Sequence, residues 1–325
     1  MDTQMKERIF FFFFSAVLVR IIEKNCIRKV TMKIIIIGNK GQLGADCAIV
    51  LSKIHEVLGV DIDEVDITKF QDVEDLVQQF GPSIIINCAA YTRVDDCEAE
   101  KELAWKVNVT GAENLARCIR KYGGCLIHIS TDYVFNGRKA VPEPYMETDE
   151  TDSISYYGKT KLEGEEAVVR TTDQHVIIRT AWLYGISGHN FLKTMLKLSF
   201  RNSDNTIKVV NDQFGSPTWS YRLALQIEKL IQTNYRGIFH ATAEGYCTWY
   251  ELATYFLNKM DVPHAIIPCT TFEYPTPAAR PMNSILENRN LKDKGINLMA
   301  HWKADVDEFV FRFRKVLIEE AEKGI

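Results

Sequence analysis

Tyr157 and Lys161 are the pair of side chains whose types and spacing best suit proton transfer in this sequence. Residues four apart on a helix lie about 5 to 6 Å from each other on one face, so the ammonium can favour the ionised form of the phenol. An unperturbed phenol has a pKa of about 10, which is too high for efficient proton exchange at neutral pH. The pair therefore indicates a tyrosine that works as an acid or base, although the same spacing is common on ordinary solvated helix surfaces.

The elements that must position this pair follow a regular alternation from Met32 onward. Short β-branched runs, suited to a sheet covered on both faces, alternate with stretches of helical periodicity. This alternation predicts βαβ units and a Rossmann-type, doubly wound parallel sheet, which is an α/β fold. The predicted strands span residues 33–37, 56–60, 83–86, 125–129 and 176–178, and the predicted helices span residues 44–52, 73–79, 103–122 and 157–169.

Helical periodicity dominates after Thr180. The predicted elements there are helices at residues 191–198, 223–231, 249–260 and 306–322 and strands at residues 207–210 and 237–241. Residues 274–281 are rich in proline and predict a surface loop. We expect a dinucleotide-binding domain of residues 32–182 with about 205–242, and a smaller, mostly helical C-terminal substrate lobe of about 183–204 with 243–325.

Composition argues for a globular enzyme rather than a disordered or nucleic-acid-binding protein. Hydrophobic residues make up 46% of the 325 residues, charged residues 25%, and the net charge is -4. The eight cysteines form no Cys-x-x-Cys pair, and no His-Glu-x-x-His motif is present. We therefore expect reduced, mostly buried thiols in a cytoplasmic protein and assign no metal ligands.

The first 31 residues do not match the rest of the chain. Residues 9–19 form an apolar run that would be about 16 Å long as a helix, too short to cross a bilayer. No small-x-small cleavage site follows the run, so we favour a start codon misplaced upstream of Met32. A membrane-surface anchor is the alternative, because basic residues follow the run.

A glycine turn follows the first predicted strand directly. Gly38, Gly41 and Gly44 are spaced to allow a tight turn, close approach of a pyrophosphate and close packing of the next helix. The competing interpretation is a plain glycine turn. Asp61, which ends the second strand, favours the cofactor site because a carboxylate there can accept hydrogen bonds from the adenosine ribose. It also favours NADH over NADPH by repelling the extra phosphate, although Lys40 could offset the repulsion, so dual use stays open.

The next two strands end in small and polar residues. Asn87-Cys88-Ala89-Ala90 ends the third strand, where small side chains let a flat cofactor lie against the sheet. Tight core packing would account for the same residues and is compatible with that role. Ser130-Thr131-Asp132 ends the fourth strand, where Thr131 can donate a hydrogen bond to a substrate oxygen or can cap a turn.

These motifs together resemble the extended short-chain dehydrogenases/reductases, and within them the dTDP-4-dehydrorhamnose reductases. The glycine turn and Tyr-x-x-x-Lys mark only the superfamily, whereas Ser-Thr-Asp-Tyr-Val-Phe and Asp-Gln-Phe-Gly-Ser-Pro-Thr are specific to this branch. The matching stretches are residues 41–44, 89–95, 130–135, 179–184, 211–218, 274–277 and 280–281.

The resemblance implies reduction of the C4 ketone of dTDP-4-dehydro-β-L-rhamnose to dTDP-L-rhamnose by NADH or NADPH. It assigns the proton donor to Tyr157, the ribose-holding cation to Lys161 and a ketone-orienting hydroxyl to Thr131, with Asn108 as the fourth member of the usual tetrad. The expected substrate-binding residues are Thr131, Asp132, Trp182 and Arg280. The expected cofactor-binding residues are Gly38, Gly41, Gln42, Leu43, Gly44, Asp61, Asp66, Ile67, Ala89, Ala90, Tyr91, Thr92, Tyr157 and Lys161.

Two of these substrate assignments have simpler alternatives: Trp182 could be buried core, and Arg280 a solvated arginine instead of a partner for the diphosphate. The segment after Thr218 offers no carboxylate where some relatives bind Mg²⁺. Mg²⁺ binding therefore stays open, as does a homodimer that depends on it.

Other functions also remain open at this point. One is an epimerase, or a reductase of another nucleotide-linked 4-keto sugar. Another is a non-catalytic cofactor-binding module, since the regulatory subunit of methionine adenosyltransferase resembles these reductases. The complete set of Tyr157, Lys161 and Thr131 argues against the non-catalytic module.

Overall fold

The predicted strands of the first half form one parallel sheet in the computed structural model, which describes residues 31–201 and 206–323. The sheet contains β1 (Lys33–Ile37), β2 (Glu56–Val60), β3 (Ile84–Asn87), β4 (Cys125–Thr131), β5 (His175–Thr180) and β10 (Gly237–His240). Their order is β10-β5-β4-β3-β1-β2. The chain order reverses beside β1, so a ligand crevice is expected at the carboxyl ends of the central strands.

The helices that cover the sheet are α1 (Gln42–Leu51), α2 (Phe70–Phe80), α5 (Gly111–Tyr122), α6 (Tyr156–Thr171) and α8 (Ser220–Ile231), and two short helices, α3 (Asp96–Ala99) and α4 (Lys101–Trp105), precede α5. The two faces of β1 show why both sides are covered. Ile34 and Ile36 pack in one apolar cluster with residues of α1 and α8, while Ile35 and Ile37 pack in another with residues of α2 and α5. Successive side chains of a strand point to opposite faces, so the run of isoleucines requires two helical layers. The predicted doubly wound α/β fold is confirmed.

One predicted helix is wrong in detail. Residues 103–122 were expected to form a single helix, but the chain turns through a π-helical segment, Lys106–Thr110, between α4 and α5. Asn108 lies in this segment and hydrogen-bonds to the backbone of Tyr91 and to the Thr160 hydroxyl. π-Helical turns are rare in proteins and are found frequently at functional sites.

The second half of the chain adds β6 (Leu183–Tyr184), β7 (Ile207–Val210), β8 (Phe214–Gly215), β9 (Thr218–Trp219), β11 (Cys247–Thr248) and β12 (Ile266–Cys269). Its helices are α7 (Phe191–Arg201), α9 (Trp249–Met260), α10 (Arg289–Asp293) and α11 (Trp302–Lys323). Most of these elements share a separate apolar core built around residues such as Leu196, Phe256 and Phe309, whereas Leu291 of α10 packs in the cluster that contains Ile34.

The two strands predicted in this half have different partners. β10 joins the large sheet beside β5, in line with its assignment to the dinucleotide-binding domain. β7 was assigned to the same domain, but it pairs with β12, and its Ile207 and Val209 pack in the core of the second half. Amphipathic patterning showed that β7 is a strand without showing which core buries it. The division into two lobes stays a prediction.

Further predictions concern thiols and membranes. The seven described cysteines, Cys47, Cys88, Cys97, Cys118, Cys125, Cys247 and Cys269, are all free. Across residues 31–201 and 206–323, no helix is long and apolar enough to cross a membrane. The predictions for the apolar run at residues 9–19 lie outside the described residues.

Candidate functional site

A cavity of about 920 Å³ opens at the carboxyl ends of the central strands. It is lined by every residue that the sequence assigns to cofactor binding, and by Thr131, Asp132 and Trp182 from the expected substrate site. Of the residues predicted for the site, Arg280 and Asn108 are not among those that line it. The fold therefore gathers residues from 38 to 182 around one space, although their individual roles remain predictions.

The glycine turn has the shape that a pyrophosphate needs. Gly38 has a φ of +79°, and a Cβ there would come within 2.8 Å of the Ala89 nitrogen. A Cβ at Gly44 would overlap the Gly38 carbonyl. Helix α1 begins directly after Gly41, which has no side-chain cap, so its first N–H groups are available to an anion. These features fit a dinucleotide.

Asp61 lies beside this turn, as predicted. Its Oδ2 accepts a hydrogen bond from the Lys40 backbone nitrogen at 2.9 Å, and its Oδ1 accepts one from the Ile62 nitrogen at 2.9 Å. The Lys40 ammonium is directed elsewhere, to Asp63 at 2.7 Å and Glu64 at 3.5 Å. These two carboxylates compete with any phosphate for the Lys40 ammonium. Lys40 is therefore less able to offset the repulsion between Asp61 and the extra phosphate of NADPH.

Thr131, Tyr157 and Lys161, which we call the proton-delivery end, come together where β4 meets α6. The Ser155 hydroxyl accepts a hydrogen bond from the Gly158 nitrogen at 3.2 Å and caps α6, so Tyr157 lies in the first turn. Lys161 lies one turn further and donates from Nζ to the Ile129 carbonyl of β4 at 2.7 Å. Both side chains are buried, with residue exposures of 9% and 2%.

The pKa of Tyr157 differs from the sequence expectation. Lys161 was expected to lower the pKa of Tyr157, but burial raises the pKa of the phenol, and a hydrogen bond with Thr131 only partly opposes the rise. Burial likewise lowers the pKa of Lys161 to about 8, against an opposing effect of Glu165. Loss of water is the largest cause of both pKa shifts. A raised pKa keeps the phenol protonated, which suits a proton donor.

Asp132 lies next to Thr131 and is almost completely buried. Its Oδ1 accepts a hydrogen bond from the Thr131 hydroxyl at 2.8 Å, whereas its Oδ2 is buried without a partner among the described residues. Burial raises the pKa of this carboxyl to about 6, and the nearby Ser284 and Thr131 hydroxyls oppose the rise. An unsatisfied buried oxygen at a cavity is expected where a ligand supplies the missing hydrogen bond.

Asn108 has its hydrogen bonds inside the protein. Its Oδ1 accepts from the Tyr91 nitrogen at 2.8 Å, and its Nδ2 donates to the Thr160 hydroxyl at 2.9 Å. These contacts fasten the segment after β3 to α6. Its role as fourth tetrad member stays a prediction.

Trp182 is half-buried and lines the cavity, and its ring stacks on a residue that the sequence analysis missed. The Trp182 and Trp249 rings lie 3.5 Å apart between centroids at an interplanar angle of 8°, and Phe191 packs on Trp249 at 4.6 Å. All three line the cavity, and we call them the aromatic wall. Trp249 was predicted only as a helix start; no local motif relates it to Trp182, which is 67 positions away.

A hydrogen bond also joins the glycine turn to the second half of the chain. Asn190 donates from Nδ2 to Gln42 Oε1 at 3.1 Å and to the Gly185 carbonyl at 2.8 Å. Asn190 and His189 both line the cavity and carried no signal in the sequence analysis.

Arg280 lies apart from this arrangement. Its Nη2 pairs with Asp95 Oδ2 at 2.9 Å, and its Nη1 donates to the Ala278 carbonyl at 3.0 Å. The pair ties the proline-rich loop to the segment that follows Thr92. Because Asp95 already neutralises the guanidinium, the structure gives no direct support to the expected diphosphate contact.

Within residues 31–201 and 206–323, no group of three or more His, Cys, Asp or Glu side chains is arranged to hold a metal ion. The open question of Mg²⁺ gains no support there.

Comparison with known proteins identifies the family. The sequence model described as "RmlD substrate binding domain" matches residues 32–315. The dTDP-4-dehydrorhamnose reductase of Aggregatibacter actinomycetemcomitans is 40% identical over 270 residues, which cover 78% of this chain and 90% of that protein. The chain belongs to the dTDP-4-dehydrorhamnose reductase family. Its first 31 residues lie outside the match to the family model.

Two further relatives of this family bear on substrate and cofactor. The dTDP-4-keto-6-deoxy-D-glucose reductase of Streptomyces niveus is 38% identical over 272 residues, covering 82% of this chain and 93% of that protein. The crystal structure of dTDP-4-dehydrorhamnose reductase from Bacillus anthracis, in complex with NADP, is 37% identical with a TM-score of 0.84. That comparison covers 87% of this chain and all of the other.

Proposed function

We propose that this chain uses NADH or NADPH to reduce the C4 ketone of dTDP-4-dehydro-β-L-rhamnose, forming dTDP-L-rhamnose. The observation that carries the proposal is the convergence of Thr131, Tyr157 and Lys161 on the cavity that also contains the glycine turn. Membership of the dTDP-4-dehydrorhamnose reductase family supports the choice of substrate.

The side chains of the proton-delivery end divide the chemistry between them. When bound, the nicotinamide supplies the hydride to the carbonyl carbon. Tyr157 then donates its phenolic proton to the oxygen, where negative charge develops. Thr131 orients that oxygen by turning its single O–H from Asp132 Oδ1 to the substrate. Lys161 is fixed to the Ile129 carbonyl one helical turn after Tyr157, and it would hold the nicotinamide ribose.

The other site residues have binding roles in this proposal. Gly38, Gly41 and Gly44 make room for the pyrophosphate, and Asp61 accepts hydrogen bonds from the adenosine ribose. The NADP complex of the B. anthracis relative supports use of NADPH despite that carboxylate. Asp132 and Trp182 contact the sugar nucleotide, and the partnerless Oδ2 of Asp132 supports its part in binding.

Location and assembly follow from the same proposal. A reduced nicotinamide cofactor and seven free described cysteines favour the cytoplasm as the site of the reaction. A homodimer is consistent with the family but has no support of its own in a single chain, and analytical ultracentrifugation would establish the oligomeric state.

The S. niveus relative favours a second candidate, reduction of dTDP-4-keto-6-deoxy-D-glucose. Oxidation of NADH and of NADPH should be measured with both sugars and with matched UDP- and GDP-linked 4-keto sugars. We expect one cofactor oxidised per dTDP-4-dehydrorhamnose reduced, at the highest kcat/KM of the panel. Preference for the glucose-derived sugar would select the second candidate, whereas sugar conversion without net cofactor consumption would indicate an epimerase. Cofactor binding with no conversion would favour the non-catalytic module.

A further inference from the structure

Trp182 has an unusual backbone conformation. Its φ is +47°, and among the described residues only one other non-glycine residue, Asp261, has a positive φ. Asp261 caps the end of α9, a position where the left-handed conformation is common. Trp182 caps no helix, and a bulky residue in this region persists only where the surroundings hold it.

The chain on both sides of Trp182 is held by the fold. Thr180 lies at the end of β5 and donates from its hydroxyl to the Ala241 carbonyl at 2.9 Å. The Trp182 carbonyl accepts from the Thr218 nitrogen at 3.2 Å, and β6 pairs with β9 directly afterwards. These contacts fix the path of the backbone, whereas the direction of the indole depends on the residues that surround the ring.

Two neighbours determine where the indole can lie. Trp249 stacks on it almost in parallel. Gly215 lies against it so closely that a Cβ at this position would overlap the ring and approach Nε1 to 2.6 Å. The Trp182 indole is therefore confined by three features: its own fixed backbone, the Trp249 ring, and Gly215, where a side chain would not fit.

Trp249 is itself rigidly placed. It is the first residue of α9, whose start is stabilised by a capping box between Thr248 and Glu251. The Thr248 hydroxyl also hydrogen-bonds to Asn211 at 2.6 Å. The ring of Phe191 supports Trp249 from α7. Trp249 thus provides a fixed surface for Trp182, which a flexible side chain could not do.

The position of Trp182 relates this aromatic wall to the sugar. In the pairing of β4 with β5, Thr180 lies directly opposite Thr131. Trp182 is two residues beyond Thr180, so it lies close to the end of β4 where Thr131 is placed. An indole there is suited to contact the apolar face of a 6-deoxy sugar, including its methyl group.

We propose that Trp249 is a positioning residue for substrate binding, which holds the Trp182 indole in the orientation that contacts the 6-deoxy sugar. The inference rests on the proposed function, because it concerns the same sugar nucleotide. Trp249 acts through Trp182, so its loss should weaken sugar binding while leaving the cofactor site and proton transfer intact.

The test uses Trp249→Ala, Trp249→Phe and, as a matched control, Trp105→Phe, which removes a partly exposed indole outside the cavity lining. Circular dichroism would monitor the exciton signal expected of two stacked indoles. Calorimetry would measure binding of dTDP-L-rhamnose, of dTDP and of NADPH, and steady-state assays would give kcat and KM. Thermal melts would establish that each variant is folded.

We expect Trp249→Ala to lose the exciton signal and to raise both KM for the keto sugar and Kd for dTDP-L-rhamnose by about tenfold, with kcat and the Kd values for NADPH and dTDP within about threefold. Trp249→Phe should restore most of the affinity, because it keeps an aromatic surface. Trp105→Phe should match the wild type. An equal loss of dTDP affinity would overturn the sugar assignment, because it would place the contact on the nucleotide.

Gly215→Ala provides an independent perturbation if Trp249→Ala fails to fold. Its added methyl group should displace Trp182 while Trp249 remains, and should raise KM similarly. Normal KM and normal dTDP-L-rhamnose binding in a folded Trp249→Ala or Gly215→Ala variant would overturn the proposal. If the wild type bound dTDP-L-rhamnose in a way that depends on Trp249 and yet reduced no keto sugar, that result would contradict the proposed function but not this inference. A wild type that does not bind dTDP-L-rhamnose would contradict both.

Discussion

The proton-delivery end and the aromatic wall belong to one cavity but are held in place differently. Thr131 and Lys161 are fixed by neighbouring segments of one βα unit, through Asp132 and the Ile129 carbonyl. The aromatic wall depends on contacts between distant segments, with Trp182 stacked on Trp249 and packed against Gly215. Burial shifts the pKa values of Tyr157 and Lys161 in the first region, whereas packing holds the strained backbone of Trp182 in the second. We infer that the first region controls the chemical step and the second controls sugar binding.

Tyr157→Phe should produce the largest effect, because it removes the proposed proton donor without removing the ring. We expect kcat to fall by about 10²- to 10⁴-fold and the Kd for NADPH to stay within about twofold. Rapid-mixing assays and calorimetry would measure the two quantities. Tyr156→Phe is the matched control, since Tyr156 precedes it in α6 but is not among the cavity-lining residues. A near-normal kcat in Tyr157→Phe would assign the proton to another group.

The pH dependence of kcat/KM should report the protonation state of Lys161. Its pKa of about 8 means that the ammonium is present below that pH and is lost as the pH rises through it. Because the Tyr157 pKa is raised, Lys161 should lose its proton first. We therefore expect kcat/KM of the free enzyme to decline above about pH 8, by about tenfold per pH unit at most. Glu165→Gln should move the decline to lower pH, because Glu165 raises the Lys161 pKa. A profile that is flat up to pH 10 would contradict this assignment.

Asp61→Ala should change the cofactor preference without affecting sugar binding. Removing the carboxylate should raise kcat/KM with NADPH relative to NADH by about fivefold, through reduced repulsion of the extra phosphate, and leave KM for the sugar unchanged. Asp63→Ala removes the same charge from an exposed neighbour that pairs with Lys40, and it should change the cofactor ratio less. An unchanged ratio in Asp61→Ala would remove Asp61 from the account of cofactor choice.

Arg280 should have the smallest effect of these residues if its main partner is Asp95. A double-mutant cycle with Arg280→Met and Asp95→Asn should give a coupling of about 0.5 kcal/mol in the free energy of unfolding, because the pair is partly exposed. KM for the sugar nucleotide should change by less than about threefold in either single variant. A much larger rise in KM for Arg280→Met alone would restore the diphosphate contact expected from the sequence.

Local patterns explain why one side of the cavity was predictable. The isoleucines of β1 and the spacing of Gly38, Gly41 and Gly44 specify a strand and a turn without reference to the rest of the chain. Tyr157 and Lys161 likewise need only one helix to come together. Their pKa values were not predictable in the same way, because both shifts are caused mainly by burial, which depends on everything packed against the helix.

The other side depended on contacts that no local pattern encodes. The amphipathic pattern of residues 207–210 predicts a strand, but its pairing with β12 follows from the second core. Asn108 lies in a sequence with helical periodicity, and the π-helical turn is related to its bonds with Tyr91 and Thr160. Trp249 has the signature of a helix start, while its stacking partner lies 67 positions earlier in the chain.

The central claim is that the Tyr157 cavity transfers a hydride to C4 of a dTDP-linked sugar. The most direct measurement uses NADPH deuterated at the transferring position, with dTDP-4-dehydrorhamnose as substrate and NMR analysis of the product. We predict one deuterium at C4 of dTDP-L-rhamnose for each cofactor oxidised, and at least about 100-fold slower transfer in Tyr157→Phe. A product that carries deuterium at another carbon, or tight cofactor binding with no deuterium in any sugar, would contradict the account.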